Sequence, residues 1–116
     1  LNGIPISVGQ VRGRAYLATD FKEALRCGPD DVLVVASADA GWVPAVIHVK
    51  GLVLANGGSL SHIAIACREL GVPAVANVRS VMEVVRTGDI LDINGSSGTV
   101  VVIAASDAYE EESKAQ

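Results

Sequence analysis

Two continuous apolar runs, Val32-Leu33-Val34-Val35 and Leu52-Val53-Leu54-Ala55, stand out in a chain whose hydrophobic positions otherwise alternate or recur at helical spacing. A run of strand length without a polar member is buried on both faces, so each predicts an interior strand. Ahead of them, Ile4, Ile6, Val8, Val11, Ala15 and Leu17 alternate loosely with Gly and polar residues, which predicts a pair of short strands. Over residues 63–70, Ile63, Ile65, Ala66 and Leu70 recur at helical spacing while Arg68 and Glu69 fall on the polar side. Gly71 supplies the stop for this helix, and Pro73 forbids its continuation.

Shorter elements fill the gaps. Asp20, followed three residues later by Glu23, resembles a capping box, and Gly28-Pro29 closes the surface helix it opens. Asp39 can cap a short helix over 41–47, provided Pro44 falls within its first turn. Ala74-Val75-Ala76 is a third short strand, and residues 80–86 form a last helix ended by Gly88. Strands over 90–93 and 99–103 are joined as a hairpin through Asn94-Gly95-Ser96-Ser97-Gly98. Residues 107–116 are charged and lack an apolar face, so a mobile tail is expected after a single domain over 1–106.

A chain of 116 residues, half of them apolar, is long enough to bury a core. With 3% aromatic residues that core is built from Val, Ile, Leu and Ala, which suits strands packed on short helices, an α/β layering. The net charge of −4 comes without a basic run, which argues against a nucleic-acid partner. No apolar run reaches the roughly 18 residues of a membrane span, and no leader pattern opens the chain. A soluble, cytoplasmic protein is the expectation. Cys27 and Cys67 lie in no Cys-x-x-Cys or Cys/His cluster, so both read as reduced, small apolar side chains.

The chemistry concentrates where the second interior strand gives way to the clearest helix, at Asn56-Gly57-Gly58-Ser59-Leu60-Ser61-His62. In a strand, Gly-rich turn, helix arrangement, backbone N–H groups of the turn and the first helical turn converge on a spot where an anion can sit. Gly57 and Gly58 lack Cβ atoms, so they can take positive φ and admit a ligand close to the backbone. Ser59 and Ser61 add hydroxyls that can cap the helix or bond a phosphoryl oxygen. His62 offers a ring-nitrogen lone pair at a helix end whose field favours an added dianion over an imidazolium. From these residues two readings stay open, a phosphoryl-accepting nucleophile or a histidine that merely caps the helix. Neither dinucleotide nor P-loop glycine spacing is present, and His48, fourteen positions away, adds no metal-ligand cluster.

The longer segment from Asn56 through Cys67-Arg68-Glu69-Leu70-Gly71-Val72-Pro73-Ala74-Val75 resembles the mobile phosphohistidine domain of the phosphoenolpyruvate-utilising enzymes. Ser37-Ala38-Asp39-Ala40-Gly41-Trp42-Val43-Pro44 resembles that family's elbow, and Gly88-Asp89-Ile90-Leu91-Asp92-Ile93-Asn94-Gly95 with Gly98-Thr99-Val100 its closing hairpin. The resemblance implies a swivelling three-layer β/β/α domain. It also implies a phosphotransferase, like phosphoenolpyruvate synthase, pyruvate phosphate dikinase, enzyme I or rifampin phosphotransferase, in which a histidine carries phosphoryl between active sites. Residue by residue, His62 matches the phosphorylated histidine and Gly57, Gly58 and Ser61 the loop that holds it. Arg68 matches the helix arginine, for docking, structure or phosphate contact.

Two departures stand out. Leu60 occupies the place of a threonine in dikinases regulated by phosphorylation, so that regulation is expected to be absent. Ala40 stands where synthase-like and antibiotic-phosphotransferase branches often have Pro.

The resemblance implies partners as well. An ATP-grasp nucleotide-binding domain, on the same chain or a separate subunit, would hold Mg and ATP and donate the β-phosphoryl group, releasing AMP and phosphate. An acceptor or phosphoenolpyruvate-binding domain would complete transfer to pyruvate or a drug hydroxyl. No cofactor or metal is expected on this domain itself, because its aspartates are scattered at caps and turns rather than clustered. It is therefore expected to be inactive alone, as a fragment or subunit. The alternative from another class is a swivelling module that only docks and has lost phosphoryl transfer.

Overall fold

A computed structural model of the chain describes residues 1–58 and 60–105, so the expected tail over 107–116 lies outside the described residues. In chain order the elements are β1 (Ile4–Ser7), β2 (Gln10–Leu17), α1 (Phe21–Ala24) and β3 (Asp31–Val35). A 3₁₀ turn at Ala40–Trp42 then runs into α2 (Val43–Val46), followed by β4 (Gly51–Leu54), α3 (Ser61–Leu70) and β5 (Ala74–Ala76). The chain continues through α4 (Val81–Val84), β6 (Ile90–Asn94) and β7 (Thr99–Ala104).

All seven strands form one mixed sheet in the order β1-β5-β4-β3-β2-β6-β7. Strands β2, β3, β4 and β5 run parallel, while β1, β6 and β7 pair antiparallel to their neighbours. The expected pair of N-terminal strands does form, but its members do not pair with each other. β1 takes the edge beside β5, and β2 splits its partners. Gln10 to Arg14 pair with β6, and Arg14 to Leu17 with β3. A strand that changes partner half-way lets the sheet curl, so the β6–β7 hairpin folds over the parallel strands.

That curl produces the three β/β/α layers. The period of two along each strand sends Leu33, Val35, Leu52, Leu54, Ala74 and Ala76 to one face, where they meet Ala45, Val46, Ile63 and Cys67 from the helices. Val32, Val34, Val53 and Val75 point to the other face and enclose a second core with Leu91, Ile93 and Val100 of the hairpin. Both predicted interior strands are fully buried, since each lies between these two cores. The lack of a side chain at Gly51 is required by the second core, where a Cβ would collide with Ile93 Cδ1.

Residues 1–3 draw the two sheet edges together. Leu1 exchanges backbone hydrogen bonds of 2.8 Å with Val100, Asn2 bridges Thr99, and Gly3 N–H donates to Gly98 O at 2.7 Å.

The short helices are shorter than the spacing predicts. Asp20 caps α1 by accepting from Glu23 N–H at 2.8 Å. Glu23 bonds the Thr19 hydroxyl at 2.8 Å in place of the reciprocal bond of a full capping box. α4 ends at Val85, which is extended and buried, and Asp89 turns the chain by accepting from Arg86 N–H at 2.9 Å. Asp39 accepts from Gly41 N–H at 2.8 Å, and Pro44 falls in the first turn of α2.

Candidate functional site

The carboxyl ends of β3, β4 and β5 converge beneath the glycine turn. Asn56 N–H donates to Ala36 O at 2.8 Å, and Asn77 N–H donates to Asn56 O at 3.2 Å. The exits of three adjacent parallel strands are thereby fixed to one another, and ligands in open α/β sheets bind outside such carboxyl ends.

From Asn56 the chain passes through exposed Gly57 and Gly58 and enters α3 at Ser61. Leu60 takes the position before the helix, where its side chain makes no capping hydrogen bond. An apolar residue at that place leaves the first-turn N–H groups without the usual oxygen acceptor from the capping residue. Leu60 instead packs against the helix-side core. Ser61 and His62 are both exposed in the first turn of α3. Ser59 lies outside the described residues.

The two glycines do not use the positive φ that their lack of a Cβ allows. Neither Gly57 nor Gly58 has positive φ. Gly57 is required by packing, because a Cβ there would come within 2.8 Å of Asn77 Cγ and Oδ1. A Cβ on Gly58 would meet nothing within 4 Å. The left-handed residue at this end of the sheet is Asn77, with φ 57. Its part escaped the sequence reading, although Asn directly after a strand is among the few non-Gly types that tolerate this conformation.

A recess of about 200 Å³ beside Gly58 is lined by Ser37, Ala38, Leu54, Asn56 and Leu60. The elbow is thus a wall of the site. Another hollow, about 480 Å³, lies at the amino end of β3 between Arg12, Arg14, Asp30 and Asp31, and His62 does not line it.

Arg68 lies nearly two turns along α3 and donates from Nε to Ile6 O of β1 at 2.9 Å. His48 is exposed after α2. Cys67 is buried under α3, and burial pushes its thiol up to about 11, which suits a packing residue rather than a nucleophile. Among the described residues, no group of three or more His, Cys, Asp or Glu gathers as a metal site.

Comparison with known proteins places this geometry. Residues 27–98 match the family described as PEP-utilising enzyme, mobile domain, a span that includes the elbow, the glycine turn, α3, and β6 with the turn that follows it. The chain belongs to this family. It is 36% identical over 101 residues to rifampicin phosphotransferase of Bacillus cereus, covering 87% of this chain and 12% of that protein. It is 33% identical over 117 residues to phosphoenolpyruvate synthase of Aeropyrum pernix, covering 98% of this chain and 14% of that protein. The chain therefore spans about an eighth of relatives that are multidomain phosphotransferases. An Enzyme I solution structure superposes with a TM-score of 0.62 at 26% identity, covering 78% of this chain and 38% of that one. Among the described residues, this mobile domain has no helix long and apolar enough to cross a membrane.

Proposed function

We propose that this mobile domain is a phosphoryl carrier in which His62 accepts a phosphoryl group at one active site and surrenders it at another. The supporting observation is the setting of His62. It is exposed in the first turn of α3, beside a glycine turn with an open face, at a helix start that Leu60 leaves without a side-chain cap.

In the first half-reaction an unprotonated ring nitrogen of His62 attacks phosphorus. A P–N bond forms as the P–O bond to the donor breaks, and the electron pair leaves on the donor oxygen. First-turn N–H groups of α3, with Gly57, Gly58, Ser59 and Ser61, accommodate the phosphoryl oxygens. The helix-end field contributes roughly 0.3 to 2 kcal/mol to the phosphorylated state, a modest amount that leaves the group transferable. The second half-reaction reverses these bond changes with an acceptor oxygen as nucleophile.

Donor and acceptor belong to other domains of the phosphotransferase, in the same polypeptide or a separate subunit. An ATP-grasp domain holding Mg and ATP, or a phosphoenolpyruvate-binding domain, fits the donor role. Among the described residues, no group of three or more His, Cys, Asp or Glu gathers that could hold the magnesium of such a donor site. The setting is cytoplasmic, where ATP and phosphoenolpyruvate are available.

Mass spectrometry under alkaline conditions tests the reading. In the full-length protein, ATP with magnesium or phosphoenolpyruvate should add one acid-labile phosphoryl group at His62, and His62→Ala should abolish it. The 116-residue chain alone should stay unlabelled with ATP and magnesium. No label with any donor would favour a module that docks without transferring phosphoryl.

A further inference from the structure

A groove of about 430 Å³ runs between α3 and the outer edge of β1, lined at the start of α3 by Leu60 and by Ser61, the residue before His62. Ile4, Pro5 and Ile6 form one wall, Ala64 and Ile65 the other, and Arg68 lies alongside. Ile4 is 42% exposed and Ile65 52%, high values for isoleucines. Ile65 follows His62 by three positions and precedes Arg68 by three, so the three side chains occupy neighbouring positions on the helix surface. Among the described residues that line the groove, none is acidic.

Its edge is closed to an added strand. Pro5 has no N–H, the register slips between Pro5 and Ser7, and the Arg68 guanidinium already occupies Ile6 O. An occupant must therefore be read through side chains. Arg68 uses only Nε in that bond. Among the described residues its Nη groups have no hydrogen-bond partner, and it has no acidic partner in a chain with net charge −4. A groove with isoleucines on both walls, a mixed apolar and polar lining and an unspent guanidinium is complementary to a carboxylate flanked by aliphatic side chains.

We propose that this groove is the docking face for the domain that phosphorylates His62, and that this partner inserts an aliphatic patch bearing one carboxylate opposite Arg68. The proposal rests on the phosphoryl-carrier reading. Docking at Ile65 and Arg68 would place the partner's active site over His62, about one turn before Ile65 and nearly two before Arg68 on the same helix.

Labelling His62 by two routes separates docking from chemistry. Potassium phosphoramidate is small; its P–N bond breaks, ammonia leaves, and the phosphoryl group passes to the imidazole with no domain to dock. In the full-length protein, Ile65→Asp and Arg68→Gln should slow labelling from ATP or phosphoenolpyruvate about tenfold or more, as loss of central interface contacts does. Both should label with phosphoramidate at the parent rate. Arg68→Lys, which keeps the charge, should retain more of the donor-dependent rate than Arg68→Gln. Val84→Asp replaces a similarly exposed apolar residue on α4, outside the groove, and should leave both rates unchanged.

Parent donor-dependent rates in Ile65→Asp and Arg68→Gln would overturn the docking face. So would equal slowing by both routes, which would place the defect at His62 itself. If the parent labels with phosphoramidate but with neither ATP nor phosphoenolpyruvate, the carrier reading falls and takes this proposal with it.

Discussion

The side chain of Asn77 fills the space into which Gly57 would project a Cβ, with Asn77 Cγ and Oδ1 both 2.8 Å from that position. One residue closes β5 and the other opens the turn toward His62, so strand packing and the glycine turn are locked together. The backbone bond from Asn77 N–H to Asn56 O reinforces the lock.

Gly57 and Gly58 should therefore respond differently to the same added methyl. Gly57→Ala forces Asn77 or the turn to move and should destabilise the fold by about 1–3 kcal/mol, in the range of overpacking. Gly58→Ala meets nothing within 4 Å and should leave stability within about 1 kcal/mol of the parent. Its methyl would stand on the open face proposed for the phosphoryl group, so it should slow His62 labelling while the melting temperature holds. Thermal melts paired with phosphohistidine formation check both.

Asn77 itself is held at φ 57. Asn77→Gly keeps that conformation accessible and relieves Gly57, so it should stay within about 1 kcal/mol of the parent. Asn77→Val places a β-branched residue in the left-handed region and should lose about 1–2 kcal/mol or more. Urea denaturation of the two variants measures the gap.

The pattern of apolar positions made the interior strands and α3 legible, because full burial of β3 and β4 demands unbroken runs and Gly71, at φ 71, ends the helix as predicted. Partner choice was not legible. The alternation along residues 1–18 says which faces are buried but not that β1 crosses to β5 while β2 spans β3 and β6. At the candidate site the sequence located His62 and the glycines, yet assigned Gly57 a conformational role where packing against Asn77 governs. That contact joins residues twenty positions apart, and no local pattern encodes it.

The seam at residues 1–3 predicts a further sensitivity. A Cβ on Gly3 would run into Ala76 O, a backbone atom that cannot swing aside, and come within 2.7 Å of Val78 Cγ2. Gly3→Ala should destabilise by about 1–3 kcal/mol. Hydrogen exchange at Val100, whose N–H donates to Leu1 O at 2.8 Å, should accelerate more than at Val34 in the sheet centre. Equal acceleration at both would mean that the seam is not a separate opening unit.

The two buried thiols predict a decline in stability at alkaline pH. Burial, and then the Asp31 carboxylate, push Cys27 up from 9.0 to about 12, and burial pushes Cys67 up from 9.0 to about 11. Above pH 9 the unfolded chain releases both protons while the folded chain retains them, so the folded state binds more protons and stability falls as pH rises. The contribution is complete below pH 9 and is lost as pH climbs through the folded values, near 11 for Cys67 and 12 for Cys27. Cys67→Ala should flatten the decline between pH 9 and 11, and Cys27→Ala should flatten it up to pH 12, in urea titrations compared with the parent. At pH 8 iodoacetamide should label neither thiol in the folded chain at an appreciable rate and both in urea. Rapid labelling of Cys67 without denaturant would show that α3 lifts from the sheet far more readily than its packing implies.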